Sequence, residues 1–301
     1  MSLFTKKAAR TLAPQESDSA AMAIQEGLLW AEDGERLYYR FQPGSTEKAP
    51  LLILHGHGEH SGRYLKFFSR LEDLGTSIGI FDLRGCGRSS GEPGDVARFE
   101  DYLSDVSSFL KFLELRFNVR PPVQLLGHSL GGLIATAWAD KNPDKVSKLI
   151  LSSPLFGIPK ERWLRGLVKI LDRWIPGFVV TNPVNAFWLT HDAEELEKYQ
   201  KDPAIRKRIT VRLVHEMVKY GELFRTKQIS WPFPVYILMA EEDYVVDPKA
   251  TRNFFARLEA PEKKLESFPG FFHEIFNEKE QGRVFERLRF YLGRSPTETA
   301  R

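Results

Sequence analysis

A serine between two glycines is the first feature of this chain that points to chemistry. The motif Gly127-His128-Ser129-Leu130-Gly131 lies where the apolar run PVQLL passes directly into the helical pattern GGLIATAWA. Glycines at such a junction allow a sharp, strained turn that exposes a serine hydroxyl at the end of a buried strand. Gly-x-Ser-x-Gly alone occurs by chance in about one chain in ten of this length. The strand–turn–helix setting therefore predicts a nucleophilic serine, and the alternative is an ordinary glycine-rich turn.

A serine nucleophile requires a histidine base and a carboxylate that orients the histidine. In an elbow of this kind the two follow the serine in the order acid, histidine, each just after a later strand. His273, after the run KKLESFP, is the one histidine of seven in that position. It is our candidate base, against the alternative of a surface-loop histidine.

The orienting acid is expected just after the apolar run PVYILMA, in the sequence AEEDYVVD. Glu241, Glu242, Asp243 and Asp247 all lie in this stretch. Asp247 precedes Pro248, a pattern typical of a helix N-cap. We therefore favour Asp243 as the acid.

The glycine-rich run HGHGEH at positions 55–60 ends another apolar segment, PLLIL. A loop in this place is expected to supply one oxyanion donor, and the backbone N–H of His57 is the natural candidate. The second donor is the backbone N–H of Leu130, at the start of the helix after Ser129. Three histidines and Glu59 occur together in the run, but their spacing matches no established ligand pattern. We predict no metal site and no cofactor.

Composition excludes several other classes of protein. The 301 residues carry a net charge of +3, which is too small to indicate nucleic-acid binding. The single cysteine, Cys86, excludes an internal disulfide and a thiolate zinc cluster, which favours a reducing, cytoplasmic location. Around it, in the loop DLRGCGRS, we expect Asp82 and Arg84 to make structural hydrogen bonds. No run approaches the ~18 apolar residues of a membrane span.

Strand and helix patterns alternate along most of the chain. Two β-rich runs around an Asp-Gly turn at 32–35 predict an antiparallel hairpin. Short apolar runs then alternate with amphipathic helices, which predicts parallel βαβ units and an α/β fold. We predict an α/β core from 26–155 and 231–295, a helical insertion at 156–230, where helix periodicity takes over, and a disordered tail at 1–25.

Five elements of the sequence together resemble one family. HGHGEHSGRY, FDLRGCGRSSG, GHSLGG, AEEDYVVD and FPGFFHEIFNE are similar to the monoacylglycerol lipase and lysophospholipase branch of the α/β-hydrolase fold, in the serine aminopeptidase S33 group. The resemblance runs from about residue 26 to 292. It implies a mostly parallel eight-stranded sheet flanked by helices, with an inserted helical cap, or lid. It also implies a triad of Ser129, Asp243 and His273 and an oxyanion hole from the backbone of His57 and Leu130.

The resemblance further implies a polar pocket for the glycerol end of a substrate. Its side chains would be those of Glu59, Arg63 and His128. His57 stands where the family often has a small residue, which predicts a narrower pocket floor. The insertion matches the family only in weak features such as LTHDAEELEKYQKDP, so the resemblance gives no acyl-chain preference.

The insertion contains a basic, Trp-bearing amphipathic helix at 161–175. Its apolar face is formed by Trp163, Leu167, Ile170, Leu171 and Trp174, and its basic residues are Arg162, Arg165, Lys169 and Arg173. From 155 to 230 the chain has 14 basic and 9 acidic residues. Such helices suit membrane interfaces. The alternative is that this face packs onto the core domain, as most amphipathic faces do.

These observations predict a serine hydrolase that cleaves the ester of single-chain acyl lipids through an acyl-enzyme. Monoacylglycerol and lysophospholipid are the expected substrates, with peripheral membrane contact through the helix at 161–175. Two alternatives stay open: a small-ester carboxylesterase or thioesterase, and a non-catalytic binding protein with the same fold. The sequence gives no oligomeric state.

Overall fold

The computed structural model describes residues 23–159, 161–181 and 184–294, without the side chains of 161–165. Residues 1–22 of the predicted tail at 1–25 lie outside the described residues. Within the described residues the strands are β1 (Gln25–Trp30), β2 (Arg36–Gln42), β3 (Leu51–Leu54), β4 (Ile78–Phe81), β5 (Val123–His128), β6 (Val146–Ser152), β7 (Val179–Thr181), β8 (Arg208–Thr210), β9 (Ile229–Ser230), β10 (Val235–Ala240), β11 (Leu258–Glu259) and β12 (Lys263–Phe268). The α-helices there are α1 (Leu65–Leu71), α2 (Phe99–Phe117), α3 (Leu130–Lys141), α4 (Glu161–Trp174), α5 (Ala193–Lys201), α6 (Val211–Thr226), α7 (Pro248–Arg257) and α8 (Gln281–Gly293).

Eight of these strands form one sheet in the order β1-β2-β4-β3-β5-β6-β10-β12. The β1–β2 and β2–β4 pairs are antiparallel and the other pairs are parallel, as predicted. Strands β3, β4, β5 and β10 are buried at every position because hydrophobic clusters cover both faces of the sheet. That double coverage explains why they appear in the sequence as short continuous apolar runs.

Two loop predictions from the sequence are confirmed by hydrogen bonds. Asp82 accepts from the backbone N–H groups of Ser61 and Arg88 at 2.6 and 2.8 Å. Arg84 donates to both carboxylate oxygens of Asp105, at 2.7 and 2.6 Å. The loop after β4 therefore has a structural role, and Cys86 is buried within it.

The chain between β6 and β10 is not entirely helical. Helices α4, α5 and α6 lie there as predicted, but β7 and β8 also pair antiparallel over three residues each. The predicted helical insertion therefore also contains a short β ribbon that the sequence did not indicate. Three-residue strands are too short to produce a detectable alternation of apolar and polar residues. The bounds 156–230 remain a prediction.

The junction of β5 and α3 packs against the end of β3 with almost no free space. A Cβ on Gly131 would lie 2.1 Å from the carbonyl oxygen of Leu54, and one on Gly127 would lie 2.4 Å from the carbonyl oxygen of Gly131. Backbone approaches this close are possible only for glycine. These two glycines set the distance between helix and sheet at the predicted elbow.

We expect Gly131→Ala to lower the free energy of unfolding by on the order of 3 kcal/mol, because its methyl group would collide with rigid backbone. Gly282→Ala is the matched control, since a Cβ there meets nothing within 4 Å. In the control the change should lie between zero and a gain of about 1 kcal/mol. Chemical denaturation measures both, and equal stability of the two variants would contradict the packing described here.

Candidate active site

Ser129 occupies the turn between β5 and α3 in a strained backbone conformation. Its φ and ψ are 52° and −118°, in the positive-φ region that residues other than glycine rarely adopt. The backbone is held on both sides: its N–H donates to Ser152 at 3.0 Å, and its carbonyl oxygen accepts from Leu155 at 3.0 Å. Held strain at a strand–helix turn is the expected geometry of a nucleophile elbow.

Asp243 and His273 form a buried pair at the ends of neighbouring strands. His273 Nδ1 lies 2.7 Å from Asp243 Oδ2, and the two residues are 3% and 8% exposed. The other carboxylate oxygen of Asp243 accepts from the backbone N–H groups of Val245 and Val246, at 2.8 and 2.9 Å. Asp243 is therefore fixed from both sides and orients the imidazole.

Asp247, the competing acid, does a different job. Its side chain accepts from the backbone N–H of Lys249 at 2.9 Å and caps helix α7, with Pro248 in the first turn. This matches the N-cap role that the sequence predicted for it.

The carboxyl ends of three parallel strands bring the candidate triad to one edge of the sheet. Ser129 follows β5, Asp243 follows β10 and His273 follows β12. His128, next to Ser129, has its ring centroid 4.9 Å from that of His273. Ser129 therefore lies at the same edge of the sheet as the Asp243–His273 pair.

Asp243 changes the protonation behaviour of His273. Burial opposes protonation of the imidazole, but the charge of Asp243 and its hydrogen bond together raise the pKa of His273 above its ordinary value of 6.5. His128 behaves in the opposite way, because burial and the neighbouring His273 lower its pKa to about 4. At neutral pH His128 is therefore uncharged.

The predicted oxyanion loop lies directly against Ser129. A Cβ on Gly56 would come within 3.3 Å of the Ser129 Cβ, so a side chain at residue 56 would crowd the serine. The His57 imidazole makes a hydrogen bond to the backbone of Arg208, the first residue of β8 in the inserted segment. Burial lowers the pKa of His57 to about 4. Its Nε2 is buried without a partner among the described residues. His57 therefore joins the loop to the insertion.

The three side chains expected to bind a glycerol group belong to a buried charge network. Glu59 accepts from Arg63 Nη1 at 2.6 Å, from the Tyr64 hydroxyl at 2.9 Å and from the Gly56 N–H at 2.8 Å. Burial disfavours its charge, but Arg63 and then His128 lower the pKa of Glu59 to about 2. A cavity of about 20 Å³ adjoins the network and is lined by Glu59, Arg63, Tyr64, Phe67, His128, Glu274, Phe276 and Asn277.

Glu274 completes this network and was missed by the sequence analysis. Its two carboxylate oxygens accept from Arg63 Nη1 and Nη2, at 2.8 and 2.7 Å. Its position directly after His273 was visible in the sequence, but no local pattern indicates a partner 211 residues away. The pairing is a product of the tertiary fold.

The inserted segment also contacts the loop that carries His273. The backbone N–H groups of His273 and Glu274 donate to the carbonyl oxygens of Trp188 and Leu189, at 3.4 and 2.8 Å. The buried carboxylate of Glu278 accepts from the backbone N–H groups of His191 and Phe272, at 3.1 and 2.8 Å. The insertion therefore helps to hold the candidate base in place.

An apolar surface of the insertion is open to solvent. Ile170 is 61% exposed and Trp174 76% exposed, whereas Val168, on the opposite side of α4, is buried. Further exposed apolar side chains of the insertion are Leu167, Ile175, Phe178, Phe187 and Trp188. The side chains of Arg162, Trp163 and Arg165 lie outside the described residues. None of the helices in the described ranges is both long and apolar enough to cross a membrane.

The chain matches the family model described as serine aminopeptidase, S33, over residues 45–280. The chain belongs to the S33 family. This match includes the candidate nucleophile, acid and base and confirms the resemblance on which the fold prediction rested.

Several proteins similar to this chain are named as lipases or phospholipases. It is 26% identical over 265 residues to a monoacylglycerol lipase of Mycolicibacterium smegmatis, covering 86% of this chain and 93% of that protein. It is 29% identical over 248 residues to phospholipase YtpA of Bacillus subtilis, covering 81% and 94%. It is 27% identical to the uncharacterized protein YnbC of Escherichia coli, of which it spans about half, 47%.

The solved structure of a similar protein has the same fold as this chain. The monoacylglycerol lipase of Paleococcus ferrophilus superposes with a TM-score of 0.78 at 27% identity, covering 85% of this chain and 98% of that one. The α/β-hydrolase fold is therefore confirmed, and the chain is an ester hydrolase by family and by structural likeness.

We expect Asp243→Asn to lower the pKa of His273, because removal of the carboxylate charge leaves burial as the dominant influence. The imidazole titration can be followed by NMR in the folded protein without any substrate. Asp247→Asn is the control and should leave that pKa unchanged. A His273 pKa that responds to Asp247→Asn and not to Asp243→Asn would reverse the assignment of the acid.

Proposed function

We propose that this protein hydrolyses the carboxylic ester of single-chain acyl lipids, monoacylglycerol in particular, through an acyl-enzyme on Ser129. The observation that carries the proposal is the buried Asp243–His273 pair at the same sheet edge as the strained Ser129 turn. The lipolytic names of the relatives support the substrate class.

In the proposed reaction His273 removes the proton of Ser129 as its oxygen attacks the ester carbonyl. Asp243 holds the imidazole in the required orientation and stabilises its protonated form. The backbone N–H groups of His57 and Leu130 would donate to the oxyanion of the tetrahedral intermediate. His273 then gives the proton to the leaving alcohol, and water hydrolyses the acyl-enzyme by the same sequence of proton transfers.

The mechanism predicts unequal losses among three variants. Ser129→Ala and His273→Ala should each lower kcat by about 10⁵-fold or more, and Asp243→Asn by about 10⁴-fold, because members of a triad act as a unit. Hydrolysis of monoacylglycerol and of a short soluble ester, both with wild-type protein and with each variant, measures this.

The same assays separate the competing functions. Higher kcat/KM for a monoacylglycerol than for its matched methyl ester supports a polyol-selecting site, because a site that binds hydroxyl groups discriminates against an ester that lacks them. Full turnover by Ser129→Ala would contradict the proposed nucleophile. Activity on short esters alone would favour a carboxylesterase.

We further propose that the exposed apolar surface of the insertion contacts lipid. A single acyl chain must leave an aggregate and reach Ser129 with little exposure to water, so an apolar surface close to the site lowers the transfer barrier. Lys169 and Arg173 are exposed on the same helix. Each basic residue near an anionic surface adds about 1 kcal/mol of attraction, which salt weakens.

The double variant Ile170→Ser, Trp174→Ser should lose activity on vesicle-borne monoacylglycerol and keep it on a short soluble ester. Leu115→Ser is the matched control, because Leu115 is 81% exposed on α2, outside the insertion. Vesicle sedimentation at low and high salt gives the binding. Equal loss of both activities with a lower melting temperature would show that this helix face is packing core.

A further inference from the structure

Arg63 is the one positively charged side chain among the eight that line the small cavity beside His128. Glu59 and Glu274 are the two negative ones, and His128 is neutral at pH 7 because burial and His273 lower its pKa to about 4. The formal charges of the eight lining side chains therefore sum to −1. The side chains of Arg63, Glu59 and Glu274 are 9%, 6% and 5% exposed, so solvent screens this charge weakly.

The end of the Arg63 guanidinium that carries Nη1 and Nη2 is already occupied. Nη1 and Nη2 donate in parallel to the two oxygens of Glu274, at 2.8 and 2.7 Å, and Nη1 also donates to Glu59 at 2.6 Å. The guanidinium carbon lies 5.0 Å from the centroid of the Tyr199 ring, which covers one face. A parallel pair of donors is the arrangement by which arginine binds a carboxylate or a phosphate. Glu274 takes the place that an anionic substrate group would occupy on this edge.

We propose that Glu274 is a specificity-determining residue that excludes anionic head groups from this site. It occupies the bidentate edge of Arg63 and leaves a net negative, weakly screened pocket that accepts neutral hydroxyl groups and repels phosphate. This inference rests on the proposed function, since it concerns which ester the site takes. It separates neutral monoacylglycerols from lysophospholipids, a choice that the names of the relatives leave open.

The size of the cavity agrees with this selection. About 20 Å³ has room for one hydroxyl-sized group. A phosphate would have to displace Glu274, whose carboxylate is held further by the Asn277 side-chain amide at 2.7 Å. The charge of the lining side chains and the size of the cavity therefore both disfavour a phosphate group.

The test compares kcat/KM for 1-oleoylglycerol and 1-oleoyl-lysophosphatidate in micelles of an uncharged detergent. Wild-type protein should prefer the neutral lipid by at least a hundredfold. Glu274→Gln keeps the size of the side chain and frees the charge of Arg63, so the preference should fall at least tenfold, mainly through a lower KM for the anionic lipid. Glu280→Gln is the control: it makes the same charge change at an exposed position on the surface and should leave the preference unchanged.

A positioning role for Glu274 gives a different result. If Glu274 only steadied the loop of His273, Glu274→Gln would lower kcat for both lipids by one factor and leave their ratio intact, which would overturn the proposal. Equal use of both lipids by the wild-type protein would also overturn it.

If Glu274→Gln does not fold, inhibition of the wild-type protein by two lipid analogues tests the proposal. Hexadecylglycerol ether should inhibit hydrolysis of a short soluble ester at a concentration at least tenfold lower than hexadecyl phosphate does, and the reverse order would overturn the proposal. Failure of the proposed function is recognised separately, as absence of short-ester hydrolysis and of labelling of Ser129 by a fluorophosphonate in the wild-type protein.

Discussion

The contact of the first turn of α3 with the end of β3 is the constraint on which the rest of the site depends. Gly131 lies so close to the Leu54 carbonyl that no side chain fits between them. The chain must therefore turn from β5 into α3 within one residue, and Ser129 takes the positive φ that this requires. The same approach places the helix N-terminus and the loop at 55–60 around one point, where an oxyanion would be stabilised.

The parallel sheet brings Asp243 and His273 to the same edge as Ser129. Because β5, β10 and β12 run in the same direction, the residues after them meet at one edge, although Ser129 and His273 are far apart in sequence. The inserted segment then acts on both sides of that edge. It contacts the loop at 55–60 through His57 and the loop of His273 through Trp188 and Leu189, so it helps to hold both loops.

Local sequence patterns predicted the features that depend on residues close to one another in the sequence. The strand–Gly-x-Ser-x-Gly–helix junction gave Ser129, Pro248 marked Asp247 as a helix cap, and alternating apolar runs gave the mixed sheet. The pairing of Arg63 with Glu274 and the β7–β8 ribbon could not be predicted in this way. The first joins residues 211 positions apart, and the second has strands of three residues, so neither leaves a periodic signal in the sequence.

The proposed reaction requires a covalent acyl group on Ser129. Rapid quenching of the wild-type protein with a p-nitrophenyl ester in the first turnover, followed by peptide mapping by mass spectrometry, tests it directly. One added acyl group is expected, on Ser129, that appears with a burst of nitrophenol and decays as the product acid forms. An acyl group on another residue, or full turnover with no acylated peptide and no burst, would contradict it.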